Sequence, residues 1–163
     1  MSTLTAAPFV LVPRLIPPPK IIYLKGLALL QRAIYVSDAV GTAGSSILSI
    51  AQILGASDVN NRRDDLKGLL IFHRGQFMQL IEGARTDLDR LLKRLRADPR
   101  HENIRMMVDG PVEGAPVGAQ PMVQVTVSGE VETLIGDRTL DRLSLPQVEA
   151  IFTTAATLVD LAA

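Results

Sequence analysis

The apolar positions of this chain change their spacing along the sequence, and the changes predict strands and helices in alternation. Runs rich in β-branched and aromatic residues predict strands, whereas apolar residues three and four positions apart predict amphipathic helices. The five predicted strands are residues 32–37, 66–73, 76–82, 103–108 and 122–127. The three predicted helices are residues 47–54, a segment that begins at the N-cap Thr86 and ends at Pro99, and residues 145–161.

Residues with special backbone preferences indicate where these elements end. Gly55 is expected to end the first helix, and the polar stretch 57–65 after it is expected to be a connection. Ser144 and Gln147 have the spacing of a capping box at the start of the last helix. The residues around Gly129 are expected to form a turn.

The two apolar runs at 66–73 and 76–82 predict a hairpin, with Gly75 free to take a positive φ at the turn. The second strand of this hairpin has Gln79 in its middle, among apolar neighbours. A buried neutral amide without hydrogen-bond partners costs roughly 1–3 kcal/mol. We therefore expect another polar group to face Gln79.

The order of the elements predicts an α+β fold of the ferredoxin-like type. Strand, helix, strand, strand, helix, strand, followed by one more strand, is the split βαβ pattern, a five-stranded mixed sheet with both helices on one face. Right-handed crossovers place the first and third strands side by side, so that Tyr35 and Gln79 become neighbours. Both sheet faces are apolar and both need a cover. The C-terminal helix, a partner subunit, or both, should cover the second face.

Composition excludes several classes of function. Seventeen basic and seventeen acidic residues balance, so no electrostatic footprint for nucleic acid is present. The chain has no cysteine and two histidines, so neither a thiolate nucleophile nor a metal site is expected. No apolar run approaches the ~20 residues that span a bilayer, and a cytoplasmic protein is expected. The basic residues at 90–96 are expected on a solvated helix face.

Prolines are concentrated at the start of the chain, with five among the first twenty residues. Each proline removes a backbone donor, so residues 1–30 are interpreted as a flexible arm rather than a helix or a signal peptide. Residues 31–127 are interpreted as the main domain. Residues 128–163 are interpreted as a helical extension that packs on the back of the sheet or in a dimer.

The assembled residues resemble the signature of BLUF domains, which sense blue light with a flavin. The resemblance covers roughly residues 31–123, and its segments are specific as a set although each alone is weak. These segments are Tyr35–Ser37, Asn60–Asn61, Gly68–Leu70, Gly75–Gln79, Leu80–Gly83 and Asp98–Asn103.

The resemblance implies a flavin held between the two helices, beside the central strands. FAD is the expected cofactor. FMN is the alternative, because the sequence has no dinucleotide fingerprint that would distinguish the two. By the same resemblance Asn61 bonds the polar pyrimidine edge of the ring, and Gln79 lies between the flavin N5/O4 region and the Tyr35 hydroxyl. The residues expected to bind the cofactor are Tyr35, Ser37, Ile53, Asn60, Asn61, Leu70, Phe77, Gln79, Arg100 and His101.

The resemblance also implies a photochemical mechanism rather than enzymatic turnover. Blue light would move an electron and a proton from Tyr35 to the flavin and leave Gln79 rotated or tautomerised, with a new bond to the flavin carbonyl. An amide carries both donors and acceptors, so it can hold two bonding patterns. Met122 is the third photoactive residue, and the tryptophan that many relatives carry before it is absent. The expected partners are further copies of the chain and an effector protein.

Two alternatives remain beside this interpretation. A small ferredoxin-like enzyme of the acylphosphatase type would need arginine in the loop after the first strand, and residues 38–45 have no basic residue. An interaction module that has lost its flavin is the other alternative, against which the retained Tyr35, Asn61 and Gln79 count. His101 can equally be a cation at a helix C-terminus or a ligand contact.

Overall fold

The structure is a computed structural model that describes residues 29–41, 47–113, 117–118 and 120–162. Apart from residues 29 and 30, the predicted N-terminal arm lies outside the described residues. The strands are β1 (Gln31–Ala39), β2 (Lys67–His73), β3 (Gln76–Gly83), β4 (His101–Pro111) and β5 (Val123–Val125). The helices are α1 (Ile47–Arg63), α2 (Arg85–Ala97), α3 (Gly129–Ile135) and α4 (Leu145–Ala162), with a 3-10 turn at Leu140–Arg142 before α4.

The sheet has the strand order β4-β1-β3-β2-β5. Strand β1 pairs antiparallel with β3 and with β4, and β2 pairs antiparallel with β3. Strand β5 pairs parallel with β2, which makes the sheet mixed. The predicted α+β ferredoxin-like fold with a five-stranded mixed sheet is confirmed.

The register of β1 and β3 places Tyr35 directly opposite Gln79, as the crossover argument predicts. Alternation along β3 directs Phe77 and Ile81 to the front face, where they pack with side chains of α1 and α2. Met78 and Leu80 point to the back face. The photochemical candidates therefore lie at the centre of the sheet, under the two helices.

Two glycines explain the geometry of the β2–β3 hairpin. At its turn Arg74 and Gly75 both have positive φ, 48° and 76°, as a type I′ turn requires. A Cβ on Gly68 would lie 2.6 Å from the Leu80 carbonyl oxygen, so no other residue permits this close approach of the two strands. The predicted hairpin is confirmed, including its turn.

The back face of the sheet is covered by the C-terminal helices. Apolar side chains of α3 and α4 form one cluster with the back-face residues of β1, β2 and β3. The α4 residues at its centre are Val148, Ile151, Phe152 and Ala155. At the start of α4 the backbone N–H and the hydroxyl of Ser144 both lie 3.0 Å from Gln147 Oε1, as the capping-box spacing predicts. The division of the chain into units 1–30, 31–127 and 128–163 stays a prediction.

The structure corrects the prediction that the first helix ends at Gly55. Helix α1 continues through Gly55 and through the polar stretch that we expected to be a connection, and it ends at Arg63. Gly55 is exposed and nothing lies within 4 Å of where its Cβ would be, so it costs only about 1 kcal/mol of helix stability. Ile53 and Asn61, eight residues apart, are both buried, and their contacts hold both halves of the helix in place.

Smaller corrections concern the ends and number of the other elements. Helix α2 begins at Arg85 after Ala84, which makes no side-chain cap, so Thr86 is not the N-cap. The residues after Gly129, expected to form a turn, form the short helix α3, because Val131 and Ile135 are four positions apart and both buried. Strand β5 has three residues rather than six.

Within the part of the chain that the structure describes, no helix is both long and apolar enough to cross a membrane.

Candidate functional site

A cleft opens between α1 and α2 above the front face of the central strands. It encloses about 610 Å³, counting the mouth that is open to solvent. The cleft is lined by Tyr35, Ile53, Ala56, Ser57, Asn60, Asn61, Leu70, Gln79, Leu91, Arg94, Leu95, Asp98, Arg100 and His101.

Gln79 is held by two side chains in the floor of the cleft. The hydroxyl of Tyr35 donates to Gln79 Oε1, and both side chains are buried. The Nε2 of Gln79 donates to the sulfur of Met122, at 3.2 Å. These two hydrogen bonds are the polar contacts that we expected Gln79 to make inside the buried strand. One N–H and one acceptor lone pair of the amide remain for a ligand in the cleft.

Tyr35 is a neutral phenol with 2% of its surface exposed. Burial raises the pKa of Tyr35 far above its ordinary value, and the negative charge of Asp98 raises it further. The hydroxyl therefore keeps its proton and acts as the donor in the bond to Gln79.

Asn61 presents a buried acceptor to the cleft. Its Nδ2 donates to the Pro121 carbonyl oxygen at 2.9 Å, which fixes the orientation of the amide. Its Oδ1 is buried and has no hydrogen-bond partner among the residues that the structure describes. Buried polar atoms without partners are uncommon in folded proteins. Asn61 Oδ1 is therefore placed to accept a hydrogen bond from a ligand.

Charged and aromatic groups surround the mouth of the cleft. Arg100 Nε lies 2.9 Å from Asp98 Oδ1, and this arginine lowers the pKa of the Asp98 carboxyl. The Nδ1 of His101 lies 3.0 Å from Ser37 Oγ, and its ring packs against the Phe77 ring at a tilt of 48°, with centroids 4.9 Å apart. Burial lowers the pKa of His101, so the imidazole is neutral at pH 7.

Most of the residues predicted from the sequence meet in this cleft. Those that line it are Tyr35, Ile53, Asn60, Asn61, Leu70, Gln79, Arg100 and His101. The remaining three do not line the cleft, but each contacts a residue that does. Ser37 contacts His101, Phe77 packs with Ile53 and Leu70, and Met122 holds Gln79. The roles of all eleven toward a flavin stay predictions.

Sequence reasoning missed an ion pair that joins the two helices at the cleft. Arg94 of α2 lines the cleft, with its Nη2 2.7 Å from the Oδ2 of Asp64, just after α1. Arg63, the larger influence, and Arg94 together hold the pKa of the buried Asp64 at about 2. The expectation that every basic residue of 90–96 lies on a solvated face is therefore wrong at Arg94. Its place between Leu91 and Leu95, which also line the cleft, is the signal that could have found it.

The residues of the cleft fit an isoalloxazine ring. Apolar side chains of α1, α2 and β2 form walls for a flat apolar ring, namely Ile53, Leu70, Leu91 and Leu95. The pyrimidine edge of a flavin carries an N–H between two carbonyl groups, and the partnerless Asn61 Oδ1 can accept a bond from that N–H. The free N–H of Gln79 can donate to a ring nitrogen or carbonyl. These donors and acceptors match the polar edges of a flavin.

Comparison with known proteins identifies a family. A family model described as BLUF, sensors of blue-light using FAD, matches residues 30–115. The photoactivated adenylate cyclase subunit beta of Euglena gracilis is 32% identical over 89 residues, which are 55% of this chain and 10% of that protein. The chain thus spans about a tenth of the length of the curated relatives it matches.

Solved structures support the same assignment. The dark-state structure of BlrB, a BLUF protein, is 29% identical with a TM-score of 0.67 and matches 80% of this chain and 97% of that one. The photo-activated state of BlsA has a TM-score of 0.71 at 19% identity, over 78% of this chain and 94% of that one, and shows the fold alone. The matched segment, the fold and the flavin-compatible cleft agree, and the chain belongs to the BLUF family of blue-light sensors that use flavin.

Proposed function

We propose that this chain senses blue light through a flavin bound in the cleft between α1 and α2. One observation carries the proposal. The amide of Gln79, hydrogen-bonded to Tyr35 and Met122, shares the cleft with the partnerless carbonyl of Asn61. The first amide is built to change partners, and the second is built to hold a ligand edge.

The cofactor, when bound, would absorb blue light and accept an electron and a proton. Tyr35 is the donor of both. The chain has no tryptophan and only one other tyrosine, Tyr23, and the Tyr35 hydroxyl keeps its proton in the dark. That hydroxyl already donates to Gln79 Oε1, so the proton has a hydrogen-bonded path through the amide. After the charges recombine, Gln79 is left in its second bonding pattern.

The hydrogen bond to Met122 limits the movement of the Gln79 amide. A thioether is a weak acceptor, so the bond from Gln79 Nε2 to the Met122 sulfur is easily exchanged for a stronger one. The new pattern of the amide then removes one contact from the segment before β5. Because β5 pairs with β2 at the sheet edge, the backbone of this segment is the first to move when Gln79 changes its partner.

We infer that FAD is the cofactor, with FMN as the alternative, and that the chain signals without enzymatic turnover. The Euglena gracilis relative is named as a photoactivated adenylate cyclase subunit, and the match covers 10% of it. By analogy the output here goes to an effector protein, through contacts that include further copies of this chain. A cytoplasmic location stays a prediction.

Absorption spectroscopy tests the proposal. Protein purified in the dark should be yellow, and blue illumination should shift its flavin bands to longer wavelength and let them return in darkness. Chromatography of the released cofactor should give FAD, whereas FMN would select the alternative. A colourless protein after expression with added flavin, or a bound flavin whose bands do not shift, would refute light sensing.

A further inference from the structure

A second depression lies on the back face of the sheet, along α4. It encloses about 1660 Å³, counting its open side. Its floor is apolar and consists of Ile34, Leu80, Val108, Phe152 and Ala156. We name this depression the back groove. Ile34, Leu80 and Phe152 are buried, whereas Val108 and Ala156 are half-buried and leave apolar surface that an occupant can cover.

The rim of the back groove is acidic. Four carboxylates line it, those of Asp109, Glu113, Glu149 and Asp160. Asp109 is paired with Arg85, whereas no ion pair or hydrogen bond of Glu113, Glu149 or Asp160 is present among the described residues. The one basic residue of the lining, Arg32, is bound to the buried Glu82, with its Nε at 2.7 Å. The occupant should therefore be apolar and carry positive charge.

The residues before Leu29 have this character. Residues 1–28 lie outside the described part of the chain, and their sequence contains three basic residues and no acidic one. Two of the basic residues, Lys20 and Lys25, flank the apolar run Ile21–Leu24.

The spacing of these charges matches the groove. Glu149 and Asp160 are eleven positions apart on α4, a rise of about 16 Å at 1.5 Å per residue. Lys20 and Lys25 are five positions apart, which is also about 16 Å for an extended chain. One lysine can therefore reach each of the two carboxylates while the residues between them lie on the apolar floor.

The chain enters the structure beside the back groove. The Leu30 carbonyl oxygen accepts a bond from the Val112 N–H at 2.9 Å, next to Pro111, which lines the groove. Leu29 is 76% exposed, so the chain before it leaves from the surface. Lys25 and Leu29 are four positions apart and span up to about 14 Å, enough to bring Lys25 to the rim.

We propose that residues Lys20–Lys25 of this chain occupy its own back groove. Ile21–Leu24 cover the apolar floor, and the two lysines face Glu149 and Asp160. The occupant is tethered, so its effective concentration at the groove is high and does not depend on protein concentration. This segment would then compete with any second copy or effector that uses the back face.

A single tryptophan can report this docking, because the chain has none. In the full chain with Tyr23→Trp, we expect emission at short wavelength and poor access to acrylamide. Adding Glu149→Lys and Asp160→Lys should shift the emission to longer wavelength and raise acrylamide access several-fold. The matched control adds Glu130→Lys and Glu132→Lys, two exposed acids of α3 outside the groove, and should leave the emission unchanged.

Three outcomes would overturn the proposal. The first is a solvent-exposed tryptophan in Tyr23→Trp alone, and the second is an emission that the Glu149→Lys and Asp160→Lys changes do not alter. The third is an emission that reaches short wavelength only as protein concentration rises, which would assign the groove to a second copy. Thermal unfolding of each variant separates release of the segment from loss of fold. The readout needs no photocycle, so it can fail or succeed independently of light sensing.

Discussion

At the scale of single residues, the cleft is organised by two amides with different freedom. Asn61 is fixed by its bond to the Pro121 carbonyl and keeps a buried acceptor without a partner. Gln79 has a strong bond on one side, from the Tyr35 hydroxyl, and a weak one on the other, to the Met122 sulfur. Asn61 is therefore suited to retain a ligand and Gln79 to respond to one.

Removing the Tyr35 hydroxyl should abolish the light response while the flavin stays bound. Tyr35→Phe leaves Gln79 Oε1 without its donor at a cost of roughly 1–3 kcal/mol, and it removes the proton that light would move. Gln79→Leu should have the same spectral effect because leucine cannot exchange partners. The matched control is Tyr23→Phe, which changes the other tyrosine of the chain and should keep the red shift. A normal red shift in Tyr35→Phe or Gln79→Leu would contradict these roles.

Shortening Asn61 should weaken flavin retention rather than photochemistry. Asn61→Ala removes the partnerless acceptor, and a lost hydrogen bond of about 1 kcal/mol corresponds to a roughly fivefold higher Kd. Flavin release during dilution, followed by fluorescence, measures the effect. Gln124→Ala, a change at an exposed amide of β5 outside the cleft, should leave the Kd unaltered. Equal retention in Asn61→Ala and the parent protein would remove Asn61 from the site.

At the scale of elements, glycine has opposite structural roles in α1 and in the β2–β3 hairpin. Gly55 lies in the exposed middle of α1, where a Cβ meets nothing within 4 Å. Gly68 lies in β2, where a Cβ would be 2.6 Å from the Leu80 carbonyl oxygen. From the sequence both glycines could be turn residues, and only their surroundings distinguish them.

Substituting the two glycines by alanine should therefore change stability in opposite directions. Gly55→Ala should raise the free energy of unfolding by about 0.5–1 kcal/mol, because alanine is the better helix former. Gly68→Ala should lower it by roughly 1–3 kcal/mol, because the hairpin strands must move apart. Urea unfolding of the two variants measures both values. A loss of stability in Gly55→Ala would mean that α1 does not continue through this position.

At the scale of the whole molecule, the central sheet separates a sensing face from a covered face. The front face carries the cleft, and the back face packs against α3 and α4 over much of its area. The amphipathic pattern predicted for the last helix holds for Val148, Ile151 and Phe152, but Leu158 points to solvent. The exposed Leu158 is on a helix whose other face lines the back groove.

The cover of the back face should contribute strongly to stability. Ile151 has 0% of its surface exposed, and Ile151→Ala should lower the free energy of unfolding by about 2–4 kcal/mol. Leu158 is 46% exposed, and Leu158→Ala should change it by less than about 0.5 kcal/mol. Denaturant unfolding of the two variants gives the comparison. Similar losses at both positions would show that Leu158 is covered in solution.

Sequence alone determined the order of the five strands and of helices α1, α2 and α4, the hairpin turn and the pairing of Tyr35 with Gln79. These features follow from local periods and from the fixed hand of strand connections, which operate within short stretches of chain. Only the tertiary structure decided that α1 continues past Gly55, that Arg94 turns into the cleft toward Asp64, and that α3 is a helix. Propensity is a weak preference of about 1 kcal/mol per residue, and contacts between residues distant in sequence outweigh it.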